Sequence, residues 1–459
     1  MKNTLIIAVS FLAVFVACSP TPDSSTAAVT YVVTQKGDTV DSYFGYQVAD
    51  PYRWLEDDMS AETADWVKAQ NEVTFCYLET IGFRENIKQR LTALWNYEKI
   101  SAPSKEGDYN YFYKNDGLQN QWVVFRQKAD LPAEVFLDPN TFSSDGTTSL
   151  AGLQFSEDGS IAAYAISEGG SDWRKVRIIN SESKQQLEPE LVDVKFSGIA
   201  WRGNTGFFYS SYDKPDGSEL SAKTDQHKLY FHRLGTAQAD DQLIFGGSAE
   251  EKHRYVGADV TDDGQYLVVS ATNTTSGNKL FVKKLSDPAS VFVALDDEGS
   301  ADYELIDSRG DRLFFKTNFN APNQRLIAVD MNTPSQDRWI DIIPHAENVL
   351  SVSRGAGFLF ATYMVDAVSR VQQFDYAGKH LRDIELPGVG SANGFDGKST
   401  DTDLYYSFTN YSTPGTTYKF NPQSGESSVY YQPAVAFNAD DYQSTQVFYA
   451  SKDGTQVPM

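Results

Sequence analysis

Basic residues, cysteine and histidine are all scarce in this chain. Lysine and arginine total 39 against 62 aspartates and glutamates, which leaves a net charge of −23. A surface that acidic repels phosphate backbones and argues against nucleic acid as a partner. With only Cys18 and Cys76 present, neither a disulfide framework nor a cysteine-based metal site can be built. The five histidines are His227, His232, His253, His345 and His380, and no two stand at the spacing of a metal-binding pair. There is no Gly-x-Ser-x-Gly elbow, no phosphate-cradling loop and no dinucleotide fingerprint, so no cofactor is expected. The glycine-rich run GGSDWR (169–174) lies between strand patterns rather than between a strand and a helix. Adjacent acids (Asp57-Asp58, Asp240-Asp241, Asp262-Asp263, Asp296-Asp297) are read as solvated turn residues.

Long apolar runs are also missing, with one exception at the start. Leu5–Ala17 follows the single charge of Lys2 and is shorter than the roughly 20 residues a membrane-spanning helix needs. It reads as an export signal rather than structure. Cleavage after Ala17 by an ordinary signal peptidase would put the bulky Phe15 at the −3 position. Phe15-Val16-Ala17-Cys18 instead resembles a bacterial lipobox, with Phe in place of the usual Leu. Cys18 is then the expected lipidation site, and a lipid anchor the only expected membrane association. Ser19 after the cysteine resembles an outer-membrane sorting signal, so the expected location is the periplasm, tethered to the outer membrane. Plain periplasmic export is the alternative. Residues 1–29 are thus assigned to signal and tether.

What is abundant is aromatic: 26 tyrosines and 28 phenylalanines favour strands. Helical signals are confined to residues 50–95. Ser60 can cap a helix with Glu62 and Asp65 in its first turn. Trp66, Ala69, Val73, Cys76, Tyr77 and Ile81 follow at helical spacing, and Cys76 is expected to be a small buried hydrophobe. A second helix is predicted over 84–95. After Asn96 the period drops to two, as in Tyr109, Tyr111 and Tyr113. Turn glycines then recur at Gly117, Gly159, Gly203, Gly264, Gly310, Gly355 and Gly397, about 45 residues apart. One interval is about 60 and contains the polar insertion 213–226. Seven such units predict a mainly β chain with a seven-bladed propeller over 96–433.

The strings DPYRWLED, WVKAQNEVT, YFYKNDGLQNQ, FSEDGSIAAYAISEGGSDW, VKFSGIAW, KLYFHRLGT and SKDGTQVPM run in order over residues 35–459. They closely resemble the prolyl oligopeptidase family. NDGLQNQ and GGSDW are similar to prolyl oligopeptidase proper rather than to the branch that cuts after basic residues. The resemblance implies an α/β-hydrolase domain built from both chain ends, with the propeller inserted between them. On that scheme residues 30–95 are the N-terminal arm of the hydrolase domain. Residues 434–459 begin its C-terminal part, where the family's Ser, Asp and His lie beyond the last strand seen here. The 459 residues would then hold no catalytic residue. They would gate access of short proline-containing peptides to a serine endopeptidase, with the C-terminal hydrolase domain as their partner. Aligned on GGSDW, Ile178 falls at a family substrate-pocket position; aligned on the TDDG turn, Tyr255 falls at another. The alternative is an exported propeller that binds a partner and carries out no chemistry.

Overall fold

The computed structural model describes residues 29–215 and 224–459. Cys18 and most of the insertion 213–226 lie outside these residues. The chain forms two units, residues 1–93 and 94–459.

In the first unit a hairpin pairs Val40–Tyr43 with Tyr46–Ala49. Its two-residue turn, Phe44-Gly45, has both φ angles positive, the geometry that suits strand twist. Within DPYRWLED, Arg53 is held by Asp50 at 2.6 Å and also pairs with Asp41 of the hairpin. Helix α1, Ala61–Glu79, starts where predicted: Ser60 Oγ accepts from the Thr63 backbone N–H at 3.1 Å. Helix α2 is Arg84–Trp95. The apolar stripe of α1 is only half covered. Thr63 is its one buried residue, Cys76 is half-buried rather than buried, and Phe75 and Tyr77 are exposed.

The second unit contains seven antiparallel sheets, one per blade: residues 99–137, 148–195, 200–245, 255–296, 303–343, 350–384 and 391–431. Six have four strands. Blade 1 has five, because its first strand is split into Lys99–Ile100 and Ser104–Glu106. Pro103 lies in the gap and has no N–H to give to the ladder. In every blade the register slips between the third and fourth strands, so each outer strand carries a bulge. Bulges twist the exposed edges away from flat pairing with other chains.

Five of the predicted turn glycines sit between the first and second strands of blades 2–5 and 7, and Gly355 ends the first strand of blade 6, where Gly357 makes the turn. Gly117 does not fit this pattern. It lies in the second hairpin of blade 1, and the equivalent first turn is at Gly107. The motif NDGLQNQ attracted the count because Asn115 fixes that hairpin, accepting from Gly117 N–H and donating to Gln119 O, both at 2.9 Å.

Each meander starts at one face and makes its first turn at the other. Strand starts and blade-to-blade crossovers therefore share one face, here the crossover face. The first turns share the opposite, turn face. The propeller's first strand begins and its last strand ends at the crossover face. Apolar clusters of buried side chains fill six inter-blade junctions, from blades 1–2 through blades 6–7. Burying each large side chain is worth about 1.5–3 kcal/mol, so most of the stability lies in these layers.

The last residues form a hairpin. Phe448–Ala450 pairs with Gln456–Pro458 across the Asp453-Gly454 turn.

Candidate functional site

An aromatic cluster occupies the crossover face at blades 2, 3 and 4. Phe196 lies just after the last strand of blade 2, with φ +52°, and the residue is 39% exposed. Bulky residues avoid that backbone region, and a strained, exposed aromatic residue points to use. Its ring meets Tyr255 edge-on at 5.6 Å and Tyr212 at 6.3 Å. Tyr255 opens the first strand of blade 4 and is half-buried, with the Arg254 guanidinium 5.4 Å from its ring. Lys195 is buried, its ammonium 4.8 Å from Trp173 and 5.3 Å from Phe196. Cations over ring faces hold such rings in place and keep apolar faces open at low cost. Burial pushes the Tyr212 phenol up to about 12, so it stays a neutral donor to the Arg254 carbonyl.

The two residues assigned from the resemblance separate here. Tyr255 belongs to this cluster. Ile178 does not: it is fully buried in the core between blades 2 and 3 and offers no surface to a ligand. Its position in the strand Trp173–Asn180 points it inward. Phe196 was missed, since VKFSGIAW looks like an ordinary strand end in sequence; its ring contacts with Tyr212 and Tyr255 single it out.

Two buried histidines of blade 3 stand in opposite states, His227 beside the cluster and His232 at the other end of the strand Lys228–Arg233. His227 Nε2 lies 2.9 Å from Lys195 O, and its Nδ1 accepts the Val256 N–H at 2.8 Å. One acceptor and one donor as neighbours require the neutral ring with the proton on Nε2. Burial depresses its pKa to about 4, although the Lys195 carbonyl works the other way. His232 has carboxylates at both nitrogens, Asp241 at 2.7 Å and Glu188 at 2.8 Å, which requires the doubly protonated ring. Burial opposes that charge, but the bonds to Asp241 and Glu188 prevail and raise its pKa. Tyr209 OH donates to Asp241 at 2.7 Å and Gly235 N–H donates to Glu188 at 2.7 Å. The reading of adjacent acids as solvated fails for two of them: the Asp241 side chain is buried here, and Asp296 is buried against Tyr303 OH at 2.8 Å.

Charged side chains bridge blades at the turn face. Arg354 of blade 6 makes a two-pronged pair with Asp262 of blade 4, at 2.7 and 2.8 Å, and donates to Ile306 O of blade 5 at 2.9 Å. Lys398 of blade 7 reaches Glu106 of blade 1 at 2.7 Å.

Among the described residues, the histidine hydrogen bonds are to backbone or carboxylate groups and none is to a hydroxyl or thiol. No group of three metal-ligating side chains is assembled among them. Exposed ring faces of this kind can pack against apolar groups.

Comparison with known proteins agrees with this architecture. The family model described as prolyl oligopeptidase, N-terminal beta-propeller domain, matches residues 31–433. A prolyl endopeptidase of Elizabethkingia miricola is 52% identical over 430 residues, covering 94% of this chain and 61% of that protein. The prolyl endopeptidase of Elizabethkingia meningoseptica gives the same identity and coverage. Prolyl oligopeptidase B from Galerina marginata, solved bound to a 25mer macrocyclization substrate, superimposes with a TM-score of 0.82 at 29% identity, covering 93% of this chain and 64% of that one. The chain thus spans about three fifths of the length of the curated relatives it matches.

Proposed function

Since this chain belongs to the prolyl oligopeptidase family, we propose that its propeller is the substrate-gating, non-catalytic part of a serine endopeptidase that cleaves short peptides after proline. The observation that carries the reading is the Phe196–Tyr255 ring pair on the crossover face, with Phe196 exposed. The propeller begins and ends at that face, so a flanking hydrolase domain would be tethered beside it. Rings set there would meet a peptide on its way to a nucleophile supplied by that domain. The opposite face, where Arg354 and Lys398 bridge blades, would act as a size filter that keeps bulk protein and water from the reaction. We also propose that the mature protein is an outer-membrane lipoprotein of the periplasm, anchored through Cys18.

Titration of the 459-residue chain with acetyl-Phe-Gly-Pro-amide, followed by NMR, tests the peptide reading. Phe196→Ala should weaken binding about tenfold, the loss of one ring contact worth about 1.4 kcal/mol. Equal binding by both forms would remove Phe196 from the site. The chain alone should show no turnover of a chromogenic Gly-Pro substrate; turnover blocked by a serine reagent would refute the non-catalytic role.

A further inference from the structure

We propose that His227 is a positioning residue that fixes the Phe196–Tyr255 pair by tying together the backbones of three blades; this rests on the peptide-site reading of that pair. His227 precedes the third strand of blade 3, with no exposed surface. Its Nε2–H holds the carbonyl of Lys195, the residue immediately before Phe196. Its Nδ1 holds the N–H of Val256, the residue immediately after Tyr255. Its own backbone N–H donates to His253 O at 2.8 Å, two residues before Tyr255. The Tyr212 ring lies 4.4 Å from the imidazole and also touches Phe196. One small ring therefore sets the separation of the two peptide units that carry Phe196 and Tyr255.

The choice of histidine follows from this geometry. The link needs a donor on one side and an acceptor on the other, at opposite ends of a rigid, flat group. A neutral imidazole supplies both, and burial holds it neutral across the physiological range. Asparagine can reproduce the Nδ1 acceptor and glutamine the Nε2 donor, but neither does both. Phe196 gains from such a tie because its left-handed backbone is unfavourable for a bulky residue and needs fixed neighbours.

The test uses the 459-residue chain with labelled histidine, phenylalanine and tyrosine. Nitrogen-15 spectra should show His227 as the Nε2–H tautomer at neutral pH; a doubly protonated ring or the other tautomer would overturn the proposal without any variant. Cross-relaxation between the Phe196 and Tyr255 rings should be present in the wild type and lost in His227→Ala. His227→Asn and His227→Gln should each restore it in part. Affinity for acetyl-Phe-Gly-Pro-amide should fall about tenfold in His227→Ala and about threefold in the other two. Ring contacts that persist unchanged in a folded His227→Ala protein would overturn the inference. If the ring contacts respond as stated but neither His227→Ala nor Phe196→Ala changes peptide binding, the positioning role stands and the peptide reading falls.

Discussion

Lys398 Nζ lies 2.7 Å from Glu106 Oε2 and joins the last blade to the first. The other six junctions are filled by apolar layers, but no such cluster spans this one among the described residues. The bond from Tyr431 OH to Glu98 O is a second polar tie across the seam. The ring therefore closes on directional, charge-assisted bonds, which are few and depend on both partners.

That asymmetry makes the seam selectively sensitive. Lys398→Met removes the charge but keeps most of the side-chain volume. It should cost about 2 kcal/mol in urea unfolding, in the range for hydrogen bonds to charged groups. Hydrogen exchange should rise first in residues 104–115 and 391–409. An unchanged midpoint, or exchange that rises evenly in all blades, would show that the pair does not hold the ring.

The His232 cluster predicts a pH dependence of stability. Its folded pKa is raised above the ordinary value of about 6.5 by Asp241 and Glu188, against the opposing effect of burial. A group raised on folding contributes in full below its unfolded pKa, and the contribution fades as pH rises through the folded value. His232→Gln should therefore be destabilised most at pH 5, by about 2 kcal/mol, with the gap to wild type narrowing in alkaline solution. Thermal melts of both proteins at several pH values provide the measurement. A gap that stays constant, or widens, with rising pH would rule out a charged His232.

Gly159 is needed for a close approach as well as for its left-handed turn. Its φ is +72°, and an added Cβ would collide with the backbone of Glu106 and Gly107 in the neighbouring first turn. Backbone atoms cannot rotate away, so Gly159→Ala should lose about 2 kcal/mol or more. Gly203→Ala has a similar φ but open space around it, and should lose about 1 kcal/mol. Equal losses at the two sites would mean that the approach of blades 1 and 2 is loose.

If Cys18 carries the lipid, Cys18→Ser should move the protein from the membrane fraction to the soluble periplasm or leave it unprocessed. Radiolabelled palmitate should enter the wild type only. A wild-type protein that is soluble and unlabelled would replace the anchor with plain export.

The sequence by itself determined the repeat. Alternating aromatic strands separated by glycine turns about every 45 residues specify seven equal units, because a two-residue period and a positive-φ turn are both local properties. The Ser60 cap and the 84–95 helix were legible for the same reason: capping and helical spacing act within one or two turns. What only the tertiary structure decided are the relations between blades. Gly117 and Gly107 look alike in sequence, and pairing alone tells which one makes the first turn. Ile178 matched a pocket position by alignment, but which face of its strand is covered depends on the blade packed against it. Asp241 and Asp296 read as turn acids until their partners, far away or across a strand, drew them into the interior. Phe196 and His227 carry no local signal at all. Their roles come from groups 29 to 59 residues away in the chain (Val256 to His227, and Tyr255 to Phe196), and such contacts exist only once three blades have packed around them.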